Sequence, residues 1–93
     1  MKKQPTKAER DHMAKVADLG CIICGAPAEI HHIKFGMNHR CHYDTIPLCE
    51  NHHRHGGFGE CIENGKRTFE AKYGTERELL ERTIKLLALD EDL

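Results

Sequence analysis

Residues 21–53 read CIICGAPAEIHHIKFGMNHRCHYDTIPLCENHH. The stretch opens on a Cys-x2-Cys knuckle, Cys21 and Cys24, and closes on a Cys-x2-His knuckle, Cys49 and His52, with 24 residues between them. Thiolate and imidazole are soft or borderline ligands, and two close pairs of them suit the closed tetrahedral shell of a structural zinc. The chain has 93 residues, too few to bury a secure apolar core without a metal, disulfides or a partner. Its five cysteines are an odd number, and the opening MKKQPTKAERDH has no apolar run of signal or membrane-span length. A reducing cytoplasm and no membrane partner are expected, and there paired cysteines read as metal ligands more readily than as disulfides. Cys41 and Cys61 fall outside both knuckles and read as plain thiols.

Between the knuckles, AEIHHI (28–33) and TIPLC (45–49) are short runs with β-branched residues, and the intervening KFGMNHRCHYD (34–44) is loop-like, so a small hairpin is expected. ENHHRH (50–55) begins a helix that Gly56 and Gly57 interrupt, and KRTFEAKYG (66–74) reads as a further short helix ending at Gly74. On a strand, His31 and His32 point to opposite faces, so they cannot serve one metal in the same way unless the strand end bends. With His52 assigned to zinc, His31, His32, His53 and His55 remain for other work.

The flanks are helical. Thr6 and Glu9 form a capping box for a helix over 6–19, Gly20 is a natural C′ residue, and Met13, Val16 and Ala17, with Ala14 beside them, make a narrow apolar stripe. Thr75 and Glu78 form a second capping box, and Leu79, Leu80, Ile84, Leu86, Leu87 and Leu89 give that helix the larger apolar face. The expected organisation is a basic arm and helix at 1–20, a zinc-stabilised core at 21–74 and a C-terminal helix at 75–93 packed on the core. Net charge is −1, so no global basic field marks a nucleic-acid binder. Lys2, Lys3, Lys7, Arg10 and Lys15 nevertheless make the N-terminal arm basic, while LDEDL closes the chain acidic.

Taken together, CIICGAPAEIHHI and DTIPLCENHH resemble the HNH, or ββα-metal, endonuclease superfamily in its zinc-knuckle version. The spacing of HHI, TIPLC and HH is most similar to the phage recombination-enhancement (Ref-like, RecA-dependent) group, over roughly residues 19–74. The resemblance implies an α+β, treble-clef-like ββα-metal core stapled by zinc on Cys21, Cys24, Cys49 and His52. It implies His32 as general base and His31 with His53 as ligands of a catalytic divalent ion (Mg2+, Mn2+, Ni2+ or Zn2+), with His55 an alternative ligand. The middle motif position, usually asparagine, falls on Asp44, which would orient the base or hairpin loop or bind metal. Where some members carry a third histidine, this chain has Gly57.

The chemistry is coherent on its own terms. Phosphodiester hydrolysis builds negative charge on nonbridging and departing oxygens, and a divalent cation stabilises it. A neutral imidazole with a pKa near 6.5 can take a proton from water at physiological pH. Lys34 and Arg54 are candidate phosphate contacts. The expected function is therefore a metal-dependent DNA endonuclease of low intrinsic sequence specificity acting in recombination or DNA processing, with a RecA-like filament as a partner. A monomer and a dimer are both compatible with the sequence. The competing reading is a non-catalytic zinc module that binds DNA or protein; metal stoichiometry separates the two. RNA is not excluded as substrate, although 5% aromatic residues and no tryptophan argue against single-strand recognition by base stacking.

Overall fold

A computed structural model describes residues 4–34 and 40–91, the side chains of Lys34, Arg40 and those beyond Leu89 excepted. Helix α1 (Lys7–Asp18) is followed by strands β1 (Glu29–Lys34) and β2 (Arg40–Leu48), a π-helical turn (Asn51–His55), and helices α2 (Lys66–Tyr73) and α3 (Glu76–Glu91). The class is mixed α+β, with one antiparallel two-stranded sheet among the described residues. None of the described helices is long and apolar enough to cross a membrane.

Both capping boxes form. The Glu9 amide donates to Thr6 Oγ1 at 3.1 Å and the Thr6 amide to Glu9 Oε1 at 2.8 Å. Thr75 and Glu78 repeat the exchange at 2.8 and 3.1 Å. Gly20 ends α1 at φ +81°, and a Cβ there would stand 2.8 Å from the Gly25 carbonyl oxygen. That position requires glycine on both counts, and it turns the chain directly into the first knuckle.

The hairpin is longer than expected. Its second strand begins at Arg40, so Arg40–Asp44, within the stretch read as loop, is strand instead, with Arg40 paired to Lys34. Residues 35–39 lie outside the described residues. Pairing is regular from Glu29↔Leu48 to His32↔Thr45, and the next pair is Lys34↔Arg40. Two steps along β1 thus answer five along β2, which breaks the alternation of side chains between faces.

The core gathers residues from almost the whole chain. Ile33, Ile46, Leu48, Ile62, Phe69, Leu79 and Leu80 are buried against Cys21 and Cys49, and Ile22, Ile23, Ala26 and Tyr73 pack around them. Helix α1 lies mainly across β2 and contributes buried Val16, with Met13 and Ala17 half-buried and Ala14 exposed. The apolar face expected of α3 divides. Leu79, Leu80 and Thr83 are buried, whereas Ile84, Leu86 and Leu89 are exposed. The cause is helical geometry: positions 79, 80 and 83 share the stripe that meets the core, and the Thr83 hydroxyl is satisfied there by donating to the Leu79 carbonyl at 2.8 Å.

Candidate metal and catalytic centre

The turn after α1 carries Cys21 and Cys24, and the end of β2 with the π-helical turn carries Cys49 and His52. Their ligand atoms all lie within 4.8 Å of one another. Cys24 Sγ is 3.7 Å from Cys49 Sγ, and His52 Nδ1 is 3.2 Å from Cys49 Sγ and 3.7 Å from Cys21 Sγ. Zinc–sulfur bonds of about 2.3 Å in a tetrahedron set neighbouring sulfurs roughly 3.8 Å apart, so the four residues fit one zinc ion. Backbone amides support the sulfurs: the Ile23 amide donates to Cys21 Sγ and the His52 amide to Cys49 Sγ, each at 3.4 Å. Of the two remaining cysteines, Cys61 is buried and donates to the Gly56 carbonyl at 3.3 Å, while Cys41 is half-buried.

A cavity of about 530 Å³ opens beside this cluster, walled by Ile30 and Ile62 and lined by His31, His32, His53, Glu63, Lys66 and Glu76. His31 reaches it from β1 and His53 from the π-helical turn, and their Nδ1 and Nε2 atoms stand 3.2 Å apart. The turn is held in place from both sides. Its His53 amide donates to the Cys49 carbonyl at 2.8 Å, and the Ile62 and Glu63 amides donate back to the carbonyls of His52 and His53.

The outer nitrogen of each facing ring meets a carboxylate. His31 Nε2 donates to Glu76 Oε2 at 2.7 Å, and His53 Nδ1 donates to Glu29 Oε1 at 2.6 Å. Arg54 grips Glu29 with two bonds, Nε to Oε1 at 2.7 Å and a terminal nitrogen to Oε2 at 3.1 Å. Lys66 holds the other oxygen of Glu76 at 2.7 Å. The Arg54 guanidinium, then the His53 ring, pull Glu29 down to about 2. The His31 hydrogen bond, with that of Lys66, likewise lowers Glu76 despite its burial. Both carboxylates are therefore ionised and only accept, which places the ring protons on His31 Nε2 and His53 Nδ1. The two inner nitrogens then face each other with lone pairs. At 3.2 Å that arrangement suits one cation held by both rings. Bonds of about 2.0–2.1 Å from two imidazoles to one ion set their nitrogens at such a separation. Glu63 Oε2, 3.3 Å from His53 Nε2, is a further oxygen at the same edge.

His32 borders the same cavity, and its Nε2 lies 3.0 Å from His42 Nδ1. Regular alternation from the His32↔Thr45 pair would put His42 on the far face; the extra residues in β2 bring it under His32. Asp44 is half-buried and hydrogen-bonds to neither histidine. His55 is exposed and pairs with Glu50 at 3.1 Å, away from the His31 and His53 nitrogens. Lys34, the other candidate phosphate contact, has its side chain outside the described part of the chain.

Sequence reading thus missed Glu29, His42, Glu63, Lys66 and Glu76. Glu29 was open to discovery, since i and i+2 on a strand share a face and put it beside His31. Glu76 lies 45 positions from His31 and left no local signal.

A family model described as recombination enhancement, RecA-dependent nuclease, matches residues 5–88. No curated protein matches the chain.

Proposed function

The chain belongs to the recombination-enhancement, RecA-dependent nuclease family, and from that premise we propose that it is a metal-dependent DNA endonuclease of the HNH type. The observation that carries this reading is the pair of facing nitrogens, His31 Nδ1 and His53 Nε2, with His32 on the same cavity wall. Zinc on Cys21, Cys24, Cys49 and His52 would be structural. A divalent ion on His31 and His53 would supply positive charge to the nonbridging and departing oxygens of the scissile phosphate.

The chain's own side chains account for the remaining roles. His32 is the general base that would take a proton from water, and the contact of its Nε2 with His42 steadies the ring. His42, in contact with His32, would share the orienting role that the resemblance implies for Asp44. Arg54 is half-exposed, and the bonds to Glu29 fix its plane while leaving further N–H donors for a phosphate oxygen. The substrate is DNA, and the family's RecA dependence makes a recombinase filament on DNA the partner that presents it.

The decisive experiment is nicking of supercoiled plasmid by zinc-loaded protein with magnesium, manganese or nickel, with and without a RecA filament. Cleavage that depends on a second ion and is abolished by His32→Ala is expected. Inactivity of the wild type under every condition, or full activity of His32→Ala, overturns the assignment. Binding of a single tight zinc and no second ion would instead leave a zinc module without catalysis.

A further inference from the structure

We infer that Glu76, on α3, is a positioning residue for the catalytic ion site, orienting His31 so that its Nδ1 lone pair faces His53. The inference deepens the proposed nuclease reading and rests on it. Four observations converge. Glu76 is 14% exposed, its Oε2 accepts from His31 Nε2 at 2.7 Å, and its Oε1 is held by Lys66 at 2.7 Å. Its own backbone amide donates to Glu70 Oε2 at 3.0 Å, so the first residue of α3 is tied to α2 through both main chain and side chain. The capping box of Thr75 and Glu78 fixes the start of the helix immediately around it. Leu79 and Leu80, one turn later, anchor that start in the core.

The physical effect is selection of a tautomer. A neutral imidazole carries one proton, and with no acceptor at Nε2 it can place that proton on either nitrogen. An ionised carboxylate at Nε2 makes the Nε2–H form the stable one, frees Nδ1 as a donor, and increases its basicity. Glu29 does the same for His53 from within β1, two residues before His31. Glu76 differs because it comes from a helix outside the knuckle-and-hairpin unit, so the ion site is complete only when α3 is docked.

The test uses zinc-loaded full-length protein. Long-range 1H–15N spectra taken without a second ion read the His31 tautomer, and Mn2+ titration followed by electron paramagnetic resonance reads the affinity of the site. Wild type is expected to show His31 as the Nε2–H tautomer. Glu76→Ala should populate the Nδ1–H form and weaken Mn2+ by about 10- to 100-fold, with Glu76→Gln, which keeps an acceptor but no charge, falling between. Zinc content and melting temperature of Glu76→Gln serve as controls that the core is intact. An unchanged tautomer, or wild-type Mn2+ affinity in both variants, overturns the role of Glu76. Failure of wild type itself to bind Mn2+ overturns the nuclease reading, an outcome distinct from a Glu76 effect that is merely absent.

Discussion

His31 Nδ1 and His53 Nε2 stand 3.2 Å apart although 22 residues separate them, one on a strand and the other on a π-helical turn. The separation suits two nitrogens on one ion and suits no neutral pair of lone-pair donors. Zinc-loaded protein is therefore expected to bind one further divalent ion per chain. His31→Ala and His53→Ala should each lose that ion and reduce cleavage by roughly a hundredfold or more, because water and phosphate cannot replace a missing imidazole in a two-histidine site. Calorimetry with Mn2+ and metal analysis check this together. Unchanged second-ion affinity in either variant would contradict it.

Zinc removal should undo both sites. His52, of the cluster that fits zinc, and His53, of the inner site, are consecutive, and the His53 amide donates to the carbonyl of Cys49, another member of that cluster, at 2.8 Å. In so small a core the free energy of metal binding is largely the free energy of folding. Chelation, or Cys49→Ser, is expected to collapse the helical circular dichroism signal and abolish Mn2+ binding in parallel. Retention of near-native helicity by the chelated protein would show that the apolar core stands alone.

Glu29 makes a pH prediction of definite sign. Arg54 and His53 hold its carboxyl at about 2, below the value of about 4.3 for an unfolded chain. The stabilisation is complete above the unfolded value and is lost as pH falls from about 4.3 towards 2. Between about pH 5 and 3.5 the Glu29 carboxyl carbon should show no titration midpoint by NMR, whereas an ordinary glutamate titrates there. The loss of melting temperature caused by Glu29→Gln should accordingly persist to about pH 4. A Glu29 midpoint at about 4.3 would mean that Arg54 and His53 do not hold it in the ionised state.

Phe69 is fully buried at the centre of the cluster that joins the knuckles to α2 and α3. Phe69→Ala should cost about 3–5 kcal/mol through lost transfer free energy and the cavity left behind. Leu89→Ala, at a position 64% exposed on the same pair of helices, should cost under about 0.5 kcal/mol. Urea unfolding of zinc-loaded protein measures both. Equal losses would show that the outer half of α3 is covered in solution.

The elements that the chain announces are those whose signals are local. The Thr6 and Thr75 capping boxes, Gly20 and the two knuckles each act within four residues, and each forms as its spacing demands. Arg40–Asp44 reads as loop because glycine, asparagine and histidine lie in the stretch leading into it, yet it forms the start of β2, with Arg40 paired to Lys34. The apolar residues of α3 read as one face, but of them only Leu79 and Leu80 are buried, with the polar Thr83 beside them.

By itself, the sequence determined the Cys21, Cys24, Cys49 and His52 quartet that fits a metal ion, the hairpin and the order of the helices, and it set His31, His32, His53 and His55 apart from that quartet. These follow from ligand spacing and from residue preferences that operate over one or two turns of chain. Only the tertiary structure decided what surrounds the histidines. An irregular register brought His42 to His32, and the docking of α3 brought Glu76 to His31 across 45 residues. No periodicity encodes such contacts, because they depend on where a core packed from distant elements sets two side chains relative to each other.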